Sequence, residues 1–444
     1  MRRTTGRCRI TFSVLALVTM SVVGIVTVSA SGNKEQSAAT SGASTPTTIV
    51  WTSGGLAQSG ISNSSASAAQ QLIEAFEKSH PNIKVTLEQE SSNVDTARSA
   101  LTVQISGGAT SPDLYGGGAI WPPLMAAAGL AMNLDSVFPD SFWSYTSPDI
   151  LNGSIYQGHK YAVPTYADVP LLYYRKDLLE AQHMAVPKTW EELQSEAQAL
   201  IKKGLVKYGF SFEGKAFEGA TWSFLEFLHQ AGGAAYTSDG KPSVDTPEGR
   251  KALGFMRDLI TSGVVPSAVT TFTSNESQDL FDSGDLAFMR NWTGTYPVAE
   301  QEGSKVKGKV GLAALPTFVG QPYPGQGALG GWELLINPNT KNLDAVKEFI
   351  TWLVSPEGET IIAKSGLLPT NTAVKNHPPV SSPVYQAYSD ARIFARPTRF
   401  GHYAQISNAI YTNVNSALAG QVSVDEALQR IQRQMENIIA NKSL

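Results

Sequence analysis

Cysteine occurs once in this 444-residue chain, at Cys8. The body of the chain therefore has no thiol to spend on a disulfide or a cysteine-ligated metal. Histidine is scarce as well. The six residues, at 80, 159, 183, 229, 377 and 402, are scattered and form no i, i+4 metal pair such as HExxH. A GxSxG nucleophile elbow and a GxxxxGK(S/T) phosphate loop are both missing. Positive charge is not concentrated either. With 34 Lys and Arg against 38 Asp and Glu the net charge is −4, and without the four arginines of residues 1–30 it is −8. An acidic chain with no basic stripe excludes nucleic acid as a partner.

The composition, 42% hydrophobic and 16% charged, is that of a globular protein. At this length two domains are expected rather than one core. The start reads differently. Arginine-rich MRRTTGRCR precedes the uncharged apolar run ITFSVLALVTMSVVGIVTVSA, and Val28-Ser29-Ala30 fits a small-x-small cleavage site. Residues 1–30 thus read as a secretory signal peptide, with an uncleaved anchor as the alternative. Residues 31–47, small and polar, read as a flexible linker. Cys8 lies before the apolar run, so export without a thioether-linked lipid is expected.

A strand is expected at TTIVWTS, then a helix near 65–79, a strand at IKVTLEQ, a helix near 94–106 and a short strand at PDLYGGG. This alternation indicates an α/β sheet covered by helices. Later helices declare their ends through caps at Thr189, Thr246, Ser355 and Ser423, and through Gly204, Gly263 and Gly366. Leu428, Ile431, Met435 and Ile438 form an apolar stripe that reads as core packing. Residues 161–179, YAVPTYADVPLLYYRKDLL, hold a buried strand flanked by Tyr166 and Asp168 on one side and by Arg175, Lys176 and Asp177 on the other.

Gly325-Gln-Gly327-Ala-Leu-Gly330 matches GxGxxG in letters but precedes a strand, which argues against dinucleotide binding. It reads better as a loop bringing backbone close to something. Asp168 and Glu333 are conceivable glycosidase carboxylates, but no local pattern supports a raised pKa on either. More informative are rings beside polar groups: Asn291-Trp292, Gly330-Gly331-Trp332-Glu333 and Tyr166-x-Asp168. A sugar has an apolar C–H face that an aromatic ring covers, and a hydroxyl rim that carboxylates and guanidinium groups bond. Three such combinations point to a carbohydrate cleft. A secreted glycoside-processing enzyme is the rival, and a peptide or polyamine binder is a third reading that ranks below the sugar binder.

The run 161–179 followed by VPKTWEEL, with FMRNW, VKGKVGLAALPTF, LGGWELLI and ARPTRFGHYAQIS, resembles the extracellular solute-binding proteins (family 1) of sugar ABC importers, with trehalose/maltose-binding proteins nearest. The resemblance spans residues 48–444. It implies a type II-like periplasmic-binding-protein fold of two lobes with a multi-segment hinge, the N-terminal lobe from 48–163 and 315–369 and the C-terminal lobe from 164–314 and 370–444. Hinge crossings are implied near 161–165, 315–318 and 367–370. The implied function is capture of a mono- to oligosaccharide, an α-linked disaccharide first, and its delivery to ABC permease subunits in the periplasm or at the outer face of the membrane. A monomer without metal or cofactor, and no enzymatic activity, are implied too. The resemblance implies Arg98 and Asp168 as hydroxyl partners, Tyr166 flanking the ring, and Trp292 and Trp332 stacking on it. Gly330 and Gly331 would present backbone, Arg396 would add a donor, and Trp121 and Glu333 would be secondary contacts. Where the family places acids in its first lobe, this chain has Ser64-Ser65 and Gly116-Gly117-Gly118.

Overall fold

A strand with Ile49 and Trp51 buried, Thr47–Thr52, opens the fold. The computed structural model describes residues 45–58, 67–91, 94–379, 383–394, 396 and 402–440. The expected leader, the linker and Ser64-Ser65 lie outside them. Among the described residues no helix is long and apolar enough to cross a membrane.

Local signals place the elements. Ser67 and Gln70 form a reciprocal capping box that starts helix Ala68–Ser79, whose Leu72 and Phe76 are buried. Thr189 and Glu192 do the same for helix Trp190–Lys202, which stops at Gly204 with φ +68°. Thr246, Ser355 and Ser423 each accept a bond from the backbone three residues on. The C-terminal helix Val424–Ala440 buries Leu428, Ile431 and Met435.

The strands build two main sheets. The first has six strands, in the order Leu368–Pro369, Val163–Asp168, Gly330–Ile336, Leu114–Gly118, Thr47–Thr52, Ile83–Leu87. Its last three are mutually parallel, and the others run antiparallel to their neighbours. Side chains alternate across it, so Leu334 joins Ile49, Leu72 and Phe349 on one face while Leu335 joins Leu101, Tyr115 and Trp121 on the other. This sheet and its helices form the first lobe. The second sheet has four strands, Val310–Ala313, Pro170–Arg175, Leu286–Trp292 and Tyr208–Ser211 in that order. Phe288 faces a large core with Phe210, Phe224 and Leu228, and Met289 faces Tyr173 and Phe281. This is the second lobe.

The chain changes sheets later than expected. Val163–Asp168 belongs wholly to the first sheet, so the first crossing is at Val169 and not at 161–165. Leu315 and Phe318 pack in the second lobe's core, and the return comes at Leu329, between strands Gln326–Ala328 and Gly330–Ile336. Leu368–Pro369 still pairs with Tyr166 and Ala167, so the third change follows Asn376. Arg175, which ends the second-sheet strand Pro170–Arg175, is buried. Its guanidinium grips Asp177 with two bonds, of 2.8 and 2.6 Å, and donates to the Gly284 carbonyl at 3.2 Å.

Candidate functional site

Where the chain leaves the first sheet for the second, strand pairing gathers the aromatic and acidic residues singled out by sequence. Gly330 is paired with Asp168, Gly331 with Ala167 and Trp332 with Tyr166. One residue past Val169, Pro170 is paired with Trp292. Tyr166, Asp168, Trp292, Gly330, Gly331 and Trp332 therefore occupy one junction. The parallel strands of the first lobe also point their carboxyl ends toward it, the usual place for a ligand in an α/β sheet.

Each member is fixed by its neighbours. Asp168 Oδ1 accepts bonds from the Thr293 backbone N–H at 2.9 Å and from the Thr293 hydroxyl. Burial pushes its carboxyl up to about 6, against the Thr293 bonds and the Arg290 charge. Trp292 donates its indole N–H to Glu213 Oε1 at 3.1 Å, and the Arg290 guanidinium lies 4.1 Å from its ring centroid. Trp222 meets it edge-on, with centroids 5.1 Å apart and planes at 82°. A Cβ on Gly330 would sit 2.6 Å from the Trp292 ring, and one on Gly331, where φ is +128°, 2.5 Å from the Tyr166 carbonyl oxygen. Glycine is required at both.

On the first-lobe side the half-buried Trp332 ring lies against backbone. A Cβ on Gly54 would be 2.3 Å from it, and one on Gly55 would be 1.9 Å from the Tyr166 hydroxyl. Tyr166 is only 4% exposed, so its ring is core and only its hydroxyl end reaches the Gly54-Gly55 turn. That corrects its expected role as a flanking ring. Gly116 and Gly117 are equally tight, against Ser53 and Trp121, while a Cβ on Gly118 would meet nothing within 4 Å.

Three other expectations are corrected. Trp121 is 2% exposed and packs with Leu101, Ile105 and Met125, its ring 6.4 Å from that of Trp332. It supports Trp332 rather than facing a ligand. Glu333 alternates to the strand face opposite Trp332 and accepts from the Ser154 hydroxyl at 2.5 Å. Burial pushes its carboxyl up to about 8, so it is a protonated core residue. Arg396 is bound to Glu218 at 2.9 Å, and Glu218 also accepts from Tyr403 and Ser407. With its guanidinium 5.5 Å from the Trp222 ring centroid, Arg396 braces that ring. Arg98 stands half-buried on helix Val94–Ser106, whose Ala97, Leu101 and Ile105 pack beside Trp121.

Sequence reasoning missed the second lobe's ionic frame. Arg290 bonds Glu226 at 2.9 and 2.5 Å and Glu213 at 3.4 Å, all three buried. One guanidinium cannot neutralise two carboxylates, and burial pushes Glu213 up to about 7. A signal was present: Arg290 interrupts the buried strand LAFMRNW and Glu226 the apolar run SFLEFL, so each needs an opposite charge nearby.

These features define the fold of a two-lobe solute receptor, with rings and an acid gathered at the junction of its sheets. The profile of the bacterial extracellular solute-binding proteins matches residues 60–360, and the chain belongs to that family. Its members bind solutes and are not enzymes, so the glycosidase alternative falls. A probable ABC transporter-binding protein of Deinococcus radiodurans is 31% identical over 76% of this chain and 82% of its own length. The mannitol-binding protein of Pseudomonas aeruginosa is 28% identical over 84% of this chain and 90% of its own. Maltose-bound MalE3 of T. maritima superposes with a TM-score of 0.79 at 29% identity, covering 88% of this chain and 99% of that one.

Proposed function

We propose that this chain is the sugar-binding protein of an ABC importer. It captures a mono- to oligosaccharide, an α-linked disaccharide such as trehalose or maltose first, outside the cytoplasm, in the periplasm or at the outer face of the membrane. It then delivers the sugar to the permease. One observation carries the reading: Asp168, Trp292, Gly330 and Trp332 converge where the chain passes between its two sheets. Trp292 and Trp332 cover the sugar's C–H faces, and Asp168, the Tyr166 hydroxyl and the backbone of Gly330 and Gly331 take its hydroxyls. Arg98 adds a donor from the first lobe, and Arg396 acts through Trp222. The likeness to maltose-bound MalE3 supports a disaccharide.

The likeness to a mannitol-binding protein favours a second reading, a polyol. An acyclic polyol has no ring face, so it gains less from paired indoles. Calorimetric titration with maltose, trehalose, sucrose and mannitol separates them. A micromolar complex, about −8 kcal/mol, is expected with an α-linked disaccharide. Tighter mannitol binding would replace the first reading by the second, and no heat with any of the four would remove both.

The two lobes act as bodies that close on the ligand, 45–168 with 330–376 against 169–329 with 377–440, pivoting at Val169, Leu329 and the segment after Asn376. Saturating sugar then shrinks the radius of gyration. An unchanged scattering profile at saturation refutes closure.

A further inference from the structure

The carboxyl ends of the first lobe's parallel strands carry polar groups left unsatisfied among the described residues. There, Ser53 Oγ and Glu90 Oε2 are both shielded from solvent and have no hydrogen-bond partner. Buried polar groups in folded proteins nearly always have one, so orphans of this kind need an explanation. These two lie on neighbouring chain segments. Strand Thr47–Thr52 pairs in parallel with Ile83–Leu87, with Trp51 opposite Leu87. The ladder then runs past the strand ends. The Glu88 N–H donates to the Trp51 carbonyl at 2.9 Å, and the Gly54 N–H bonds the Glu90 carboxylate.

That bond ties Glu90 to the ligand site. Gly54 is the residue against which the Trp332 ring lies, and Gly55 meets the Tyr166 hydroxyl and the Trp332 indole nitrogen. Glu90 is close enough for its charge to raise the Tyr166 phenol, as Asp168 also does. Burial is the largest influence on the Glu90 carboxyl and pushes it up to about 7, with only the Gly54 N–H opposing. A carboxylate stripped of water, with one oxygen held and the other free, gains strongly from a hydroxyl that donates to it.

We propose that Glu90 is the first lobe's acceptor for the ligand's hydroxyl hydrogens, its free Oε2 taking a bond from a sugar whose face rests on Trp332. This deepens the sugar-binding reading and rests on it. Glu90 gives a carboxylate to a lobe whose neighbouring strand ends in Gly116-Gly117-Gly118 and offers none. With Asp168 at the junction, the ligand then meets two acids, both near enough to act on the Tyr166 phenol.

The test is calorimetry of wild type, E90A and E90Q with maltose, trehalose and mannitol, beside the melting temperature of each ligand-free protein. E90A is expected to weaken whichever probe the wild type binds by tenfold or more. Its ligand-free melting temperature should be unchanged or higher, because a half-satisfied buried carboxyl is removed. E90Q, which keeps an acceptor oxygen without the charge, should fall between. Binding by E90A within twofold of wild type overturns the proposal, and so does a lower ligand-free melting temperature in both variants, the mark of a scaffold residue. A wild type that binds none of the three probes overturns the sugar reading itself, and this proposal with it.

Discussion

Glu213 holds Trp292 by its edge: the indole N–H donates to Oε1 at 3.1 Å, while the opposing charge of Arg290 covers the ring 4.1 Å from its centroid. The same oxygen also accepts from Trp222 at 3.3 Å, so one buried carboxylate sets the angle between two indoles. Removing it by Glu213→Ala leaves two indole donors and part of a guanidinium unpaired. The expected loss of stability is about 2 kcal/mol. Glu213→Gln, which keeps the acceptor oxygen, should recover much of it. Chemical denaturation measures the loss, and near-ultraviolet circular dichroism reports whether the paired indoles turn. An unaltered indole spectrum in Glu213→Ala would refute the positioning role.

Asp168→Ala and Trp332→Ala separate binding from scaffold. Both are expected to weaken ligand binding at least tenfold, about 1.4 kcal/mol. They differ in the absence of ligand. Trp332 is half-buried against Gly54 and the first-lobe core, so its removal should also cost about 2 kcal/mol of stability. Asp168 is raised to about 6 by burial and, among the described residues, is bonded through Thr293 and its neighbour, so its removal should shift the melting temperature far less. Titration and melting of the two variants check this, and a larger thermal loss in Asp168→Ala would reverse the assignment.

Gly54→Ala tests the floor under Trp332. The residue has φ +58°, and a Cβ there would lie 2.3 Å from the ring. Backbone strain and overlap together should cost about 2 kcal/mol. Because Trp332 must move, sugar affinity should drop along with stability. Native affinity in Gly54→Ala, measured by calorimetry, would show that the ring's resting place is immaterial.

Two core carboxyls set a pH dependence. Burial pushes both Glu333 and Glu359 from 4.5 up to about 8. Between those values the folded chain binds more protons at these sites than the unfolded chain, so their contribution to stability falls as pH rises. It is fully present below about pH 4.5 and lost through about pH 8. Glu333→Gln and Glu359→Gln should each flatten the stability profile between pH 5.5 and 8.5. Denaturation at both ends measures the slope, and a slope unchanged in both variants contradicts the assignment.

What was legible in the sequence was what local chemistry decides. Capping residues at Thr189, Thr246, Ser355 and Ser423 each mark a helix start, because a cap acts on the next turn of the same chain. The alternating strand and helix signals led to the α/β class, and rings beside polar groups led to Trp292 and Trp332. What escaped depends on packing between distant segments. No periodicity distinguishes Trp121, sealed under the sheet, from Trp332 on its rim. Helix Glu218–Gln230 is buried along nearly all its length, so nothing in its pattern singles out Trp222 as the partly exposed residue that meets Trp292. Glu90 follows a strand in a polar stretch, and only the parallel pairing of that strand with Thr47–Thr52 brings it to Gly54. The first crossing, implied near 161–165, lies later because Val163–Asp168 and Pro170–Arg175 form one apolar run in sequence and only Val169 separates the two sheets.

That single residue has a cost for adaptation. Val169 follows Asp168 directly, and Leu329 directly precedes Gly330, so two of the joints on which the halves would swing are covalent neighbours of the groups that would touch cargo. A substitution that retunes the grip also alters the swing, and one that loosens the swing disturbs the grip. Descendants of this chain that take up a new nutrient should therefore change first at Glu90, which stands off the pivot, and last at the strand pair itself.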